Sequence, residues 1–161
     1  MRVGLGFDVH RFQAGRPLIL AGVEIPSAVG LLGHSDADVI LHALMDALLG
    51  ALALGDIGDH FPDTDEQYRG ISSMQLLTRV VDLIAARGYV VSNADLMVMA
   101  EMPKLSPYKK EMVQKMANAL QVNEDQVSLK ATTMEGMGFV GRKEGIAAQA
   151  LVSLARRAAQ M

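Results

Sequence analysis

The chain has 161 residues, enough for one domain with an ordinary buried core, and half of them are hydrophobic. Aromatic residues make up only 4% and Trp is absent, so the core must be aliphatic, with the 11 Met residues as adaptable filler. A net charge of −3 supplies no basic field for nucleic acid or an anionic membrane surface, and zero Cys excludes a disulfide framework and a thiolate zinc site.

No apolar stretch approaches the length of a membrane span, and Met1-Arg2-Val3 lacks a signal-peptide pattern. A transit peptide already removed would leave no trace. The expectation is a cytoplasmic protein folded as one α/β domain over residues 1–161.

Met1 to His10 alternates as a strand, with Val3, Leu5, Phe7 and Val9 on one face and Gly4, Gly6, Asp8 and His10 on the other. Gly15-Arg16-Pro17 is a turn signal, and Leu18 to Ile25 reads as the second arm of a hairpin with that strand. Ser35 or Asp36 can cap a helix over Ala37 to Leu54, which Gly55-Asp56-Ile57-Gly58 ends. A second helix is predicted over Ser72 to Arg87, closed by Gly88, followed by a strand over Tyr89 to Ala100. Pro107 opens a third helix running to about Leu120, and Gln126 to Thr133 is β-like. Gly145 to Ala159 is ambiguous, because its Ala and Leu content favours helix.

Asp8 and His10 set a carboxylate and an imidazole side by side on a face cleared of bulk by two glycines. The first helix is apolar apart from Asp38, His42 and Asp46, which fall at i, i+4 and i+8 and form one stripe. Such a stripe either faces solvent or needs partners. A metal on Asp8, His10 and His42 would supply one, with Asp38 or Asp46 holding the other nitrogen of His42. Two His and one carboxylate suit Zn²⁺, and Mn²⁺ or Fe²⁺ would tolerate them; three ligands with an open position read as catalytic. His34 precedes a helix N-terminus, where an anion is favoured, although a capping role for His34-Ser35 competes. His60 reads as a surface residue.

Lys130 to Arg142 is the other dense stretch, bringing Thr132, Thr133 and Glu135 into a glycine-rich turn near Lys130 and Arg142. Hydroxyls, backbone N–H groups and cations suit a polyphosphate, and a carboxylate can hold a hard metal that also binds phosphate. The order of residues is not a Walker motif.

Taken together, Gly6-Phe7-Asp8-Val9-His10, Gly33-His34-Ser35-Asp36-Ala37-Asp38 with His42-Ala43-Leu44, and Gly55-Asp56-Ile57-Gly58 form an ordered set of motifs. Phe61-Pro62-Asp63-Thr64-Asp65, Pro103-Lys104-Leu105, and Lys130-Ala131-Thr132-Thr133 with Glu135, Gly138-Phe139 and Gly141-Arg142 continue it. Over nearly its whole length the chain resembles the 2-C-methyl-D-erythritol 2,4-cyclodiphosphate synthases of the non-mevalonate isoprenoid pathway. The resemblance implies one mixed sheet with helices packed on one side, a homotrimer with active sites between subunits, and a strand over Gly145 to Ala155. It implies a reaction in which the 2-phosphate of a cytidine-diphosphate methylerythritol phosphate attacks the β-phosphate of the same molecule, releasing CMP.

By the same resemblance, Asp8, His10 and His42 hold Zn²⁺, and Glu135 holds Mg²⁺ or Mn²⁺ with the substrate diphosphate. His34 and Thr133 stabilise the transition state, and Ser35 and Thr132 hold phosphate. Asp56, Ile57 and Gly58 bind ribose. Ala100, Glu101, Met102, Pro103, Lys104, Leu105 and Ser106 wrap the cytosine, and Phe61, Pro62, Asp63, Thr64 and Asp65 seat the methylerythritol phosphate. Val9, Met134, Phe139 and Arg142 complete the substrate-contacting set. Gln149 stands where family members often carry an acidic residue, near Arg142 at the trimer axis, where an apolar cavity can hold an isoprenoid diphosphate. Glu101 and Met102 replace smaller or amide residues, with little effect expected on base specificity. The competing readings are a metal-dependent phosphohydrolase and a non-catalytic trimer that binds an isoprenoid diphosphate.

Overall fold

The alternation at the start of the chain governs how the rest packs. In a computed structural model, which describes residues 1–157, Arg2–Ala14 forms a long strand, β1. Val3, Leu5, Phe7 and Val9 lie on its outer face, 42–61% exposed, while Gly4 and Gly6 are buried on the inner face. Against that inner face lies helix α1, Val39–Ala51. A Cβ added at Gly6 would come within 1.9 Å of the Ala43 carbonyl oxygen, and one at Gly4 within 1.9 Å of that of Ala47. The two glycines thus let the helix backbone rest directly on the strand.

The remaining elements are β2 (Leu18–Leu20), β3 (Val23–Ile25), β4 (Val29–Leu31), α2 (Ile57–His60), α3 (Ser73–Ala86), β5 (Tyr89–Met99), α4 (Lys109–Leu120), β6 (Val127–Thr132), α5 (Gly138–Gly141) and β7 (Gly145–Arg156). Short 3₁₀ turns occupy Glu66–Tyr68 and Glu124–Gln126. The main sheet runs β4-β1-β7-β5-β6; β5 and β6 are parallel and the other pairs antiparallel. The helices bury its inner face under an aliphatic core that includes Leu44, Leu48, Leu77, Ile84, Met112 and Met116. No helix among the described residues is long and apolar enough to cross a membrane.

Two expectations are corrected here and one ambiguity is resolved. The run Leu18 to Ile25 does not pair with β1: it folds on itself, β2 against β3, through Ala21-Gly22, whose φ values of 49° and 73° make a tight two-residue turn. Strand β1 pairs instead with β4 and β7. The first helix starts at Val39 and not Ala37, because Ala37 sits at φ 58°, outside the helical region, and Asp38 is the N-cap. Gly145 to Arg156 is a strand, as the resemblance implied and against helix propensity. Hydrogen bonding to β1 on one side and β5 on the other overrides that propensity, and the small Ala148 and Ala150 are fully buried. Ala158 and Ala159, the end of that ambiguous stretch, lie outside the described residues.

Candidate metal centre and substrate cavities

Asp8 and His10 leave the inner face of β1 just beyond the glycines, and His42 rises to them from the first turn of α1. Asp8 Oδ2 lies 2.9 Å from His10 Nε2 and 3.1 Å from His42 Nδ1, and the two nitrogens are 3.1 Å apart. Tetrahedral zinc bound at about 2.0 Å sets ligand atoms about 3.3 Å apart, so this near-equilateral tripod fits such an ion. Burial works to raise the Asp8 carboxyl, but hydrogen bonds and charge from His10 and His42 outweigh it and hold the group well below the usual carboxylate range. Burial works to lower His10, and the Asp8 carboxylate overcomes it, raising the imidazole above its ordinary value. Asp8, His10 and His42 could therefore hold a metal ion.

The ligands are fixed from behind. His10 Nδ1 donates to the Leu32 carbonyl oxygen at 2.6 Å, which turns Nε2 toward the tripod. His42 Nε2 meets two hydroxyls, Ser35 Oγ at 3.1 Å and Ser73 Oγ at 3.0 Å. Neither Asp38 nor Asp46 plays the part expected of it. Asp38 accepts from the backbone N–H groups of Ala21, Gly22 and Leu41, and Asp46 from that of Ile57. The helix N-terminus is thus filled by the buried Asp38 carboxylate, which removes it as a free anion site next to His34. Ser35 and Asp36 serve the preceding turn, accepting from Ala37 N–H and Asp38 N–H. His60 is half-buried and donates through Nε2 to the Leu54 carbonyl at 2.8 Å.

A cavity of about 530 Å³ opens beside the tripod. It is lined by His10, His34, Ser35, His42, Ile57, Gly58, Phe61, Pro62, Asp63 and Thr64, all predicted, and by Gly33, Tyr68 and Leu76. Asp56 caps α2 at its rim, and the Asp65 carbonyl lies 3.2 Å from His34 Nε2. Sequence reasoning missed Arg16, which donates to the carbonyls of Gly33 (2.6 Å) and Ser35 (2.7 Å) and so sets the loop that carries His34. It also missed Ser73, whose link to His42 spans 31 residues and leaves no local signal.

The other predicted residues gather elsewhere. A cavity of about 280 Å³ is lined by Ala100, Glu101, Pro103, Lys104, Leu105, Ser106, Ala131, Thr132 and Thr133. Glu101 Oε1 accepts from Met134 N–H at 2.7 Å and Gly136 N–H at 3.4 Å, tying this segment to the turn that carries Glu135. Thr133 Oγ1 donates to Glu135 Oε1 at 3.2 Å. Val9 and Phe139 border a further groove, of about 350 Å³, with Glu144, which pairs with Arg142 at 2.7 Å. The cavity beside the tripod and the one beside Thr132 and Thr133 share no residue. Across the sheet, Asp8 aligns with Ala148, Ala148 with Val98, and Val98 with Ala131. Three strand spacings therefore separate Asp8 from Ala131, the residue before Thr132, about 14 Å across the sheet.

Residues 1–155 match the YgbB family. The chain belongs to that family. It is 62% identical over 154 residues to the 2-C-methyl-D-erythritol 2,4-cyclodiphosphate synthase of Agathobacter rectalis, covering 96% of this chain and 87% of that one. It is 60% identical over 156 residues to the synthase of the same name from Desulfitobacterium hafniense, covering 97% and 99%. Among solved structures, the bifunctional IspDF of Campylobacter jejuni superposes with a TM-score of 0.93 at 46% identity over 96% of this chain, which spans only 42% of that protein's length. A 2C-methyl-D-erythritol-2,4-cyclodiphosphate synthase solved with CDP gives 0.88 at 42% identity, covering 96% of this chain and all of that one.

Proposed function

We infer that the chain is a 2-C-methyl-D-erythritol 2,4-cyclodiphosphate synthase of the non-mevalonate isoprenoid pathway. It converts 4-diphosphocytidyl-2-C-methyl-D-erythritol 2-phosphate to the cyclic diphosphate and CMP. One observation carries the reading: a Zn²⁺-sized tripod of Asp8, His10 and His42 opens onto a cavity walled by the His34–Ser35 loop and the 57–64 segment. The family membership supports it.

In the reaction, an oxygen of the 2-phosphate forms a bond to the β-phosphorus, and the bond from that phosphorus to the CMP oxygen breaks. The attacking oxygen is already ionised, so no general base is required, and tethering brings it to its target without a second binding event. Zinc on the tripod, with Mg²⁺ or Mn²⁺ on Glu135 and the diphosphate, would supply Lewis-acid polarisation and offset the repulsion between the two phosphates. His34 and Thr133 face the transferring phosphoryl group, and Ser35 and Thr132 donate to phosphate oxygens. Asp56 to Gly58 bind the ribose, the Asp56 carboxylate accepting from its hydroxyls. Ala100 to Ser106 surround the cytosine, and Phe61 to Asp65 seat the methylerythritol phosphate.

The site is completed between copies of a homotrimer. Its two halves lie about 14 Å apart across one sheet, while the outer sheet face leaves Val3, Leu5, Phe7, Val9 and Leu151 exposed, as an interface between chains would require. Gln149 lies on that face, paired in register with Phe7 and Met97, and would line an axial cavity able to take an isoprenoid diphosphate.

Turnover followed by ³¹P NMR, with zinc-depleted and zinc-restored protein, tests this reading. CMP and a cyclic diphosphate are expected, lost on depletion and reduced by at least ~10³-fold in His42→Ala. Linear products would indicate a phosphohydrolase, and binding without turnover a non-catalytic trimer.

A further inference from the structure

His10 and His42 are fixed by unlike partners. The far nitrogen of His10 meets a carbonyl, which can only accept, so Nδ1 must carry the proton. The far nitrogen of His42 meets hydroxyls, which can donate or accept and by themselves leave the tautomer open. Asp36 removes the ambiguity. Ser73 is fully buried at the first position of α3, and its Oγ donates to Asp36 Oδ1 at 2.5 Å. A carboxylate only accepts, so the Ser73 hydroxyl proton is spent there and its lone pairs face His42 Nε2 at 3.0 Å. Nε2 then carries the proton, and Nδ1 turns its lone pair toward Asp8 and His10. Asp36 Oδ2 also accepts from Ser73 N–H at 2.9 Å, so one carboxylate takes both hydrogen-bond donors of this residue. Ser35 Oγ accepts from Ala37 N–H and, among the described residues, finds no carboxylate for its own proton, which leaves that proton for a phosphate.

We propose that Asp36 and Ser73 are a positioning pair that sets the tautomer and donor strength of His42 toward the metal, through a chain Asp36–Ser73–His42. Asp36 lines a separate groove of about 610 Å³ with Ser72 and Lys115, so its charge is held at the protein surface while the buried serine passes the effect inward. The pair rests on the reading of Asp8, His10 and His42 as metal ligands.

Zinc dissociation constants from chelator competition test it on the full chain, alongside metal-free melting temperatures and the visible spectrum of the Co²⁺-loaded protein. Ser73→Ala should weaken zinc by ~10–100-fold and shift the Co²⁺ ligand-field bands. Asp36→Asn, which turns one acceptor into a donor facing a donor, should do the same at a half-buried position that tolerates the change. The double variant should bind no more weakly than the worse single one, and Ser73→Thr, which restores the hydroxyl, should recover affinity. Unchanged zinc affinity in a folded single variant, or penalties that add in the double variant, would overturn the pair. Wild type that binds zinc no better than His42→Ala would overturn the metal centre itself, and the pair with it.

Discussion

The two halves of the site are built to different standards. At the metal end each imidazole has a second partner behind it, the carboxylate lies between two rings, and the helix that supplies His42 rests on glycines that admit nothing larger. At the other end Thr133, Met134 and Glu135 are exposed, Glu135 adopts φ 53°, and the turn is held mainly by Glu101 and by the bond from Thr133 to Glu135. The first half is complete within one chain and preorganised for an ion. The second half is a surface, and the proposed trimer gives it a reason to be one.

The sharpest way to break this contrast is to disrupt the outer sheet face. Leu5 is 61% exposed in the single chain, and Leu5→Asp would set a charge in the proposed interface at a cost of several kcal/mol. Sedimentation should then show monomers, with cyclisation down by at least ~100-fold. Zinc affinity should be unchanged, because all three ligands come from one chain.

A smaller effect separates the two carboxylates beside α1. Burial, with the neighbouring Asp36 charge, pushes the Asp38 carboxyl up to about 6 despite three backbone hydrogen bonds, whereas Asp8 is held low. Between pH 4 and 6 native Asp38 keeps a proton that the unfolded chain has released, so its contribution to stability falls as pH rises, by about 3 kcal/mol in all. Asp8 acts in the opposite sense, losing its contribution only as pH falls below the ordinary carboxylate range. Denaturant melts of the metal-free protein should show the Asp38 slope as a difference between wild type and Asp38→Asn. Parallel curves would remove it.

The smallest effect concerns the exposed turn. Glu101→Ala removes the acceptor for Met134 and Gly136 N–H, worth about 1 kcal/mol, so KM for the cytidine substrate should rise about fivefold at unchanged zinc affinity. A change in zinc affinity instead would show that the two halves are coupled.

Much of the metal end was legible because it is written locally. Alternation placed Asp8 and His10 on the face that Gly4 and Gly6 clear, and helical spacing brought His42 into view. The same spacing misled on Asp38 and Asp46, since sharing a stripe with His42 says nothing about which backbone N–H groups approach from β2–β3 or α2. Ser73 and Arg16 were not legible: each acts on a segment far away in sequence. Strand β7 was read through resemblance, because the competition between helix propensity and two flanking strands is decided only by tertiary packing.

In the proposed trimer each site joins the metal half of one chain to the threonine half of another. Mixing two inactive variants, His42→Ala and Thr133→Ala, after dissociation and reassembly, decides whether it does. Random trimers would carry both intact halves at about one interface in four, so about a quarter of wild-type turnover should return. Mixtures that stay as inactive as their parents would contradict the claim and confine the site to a single chain.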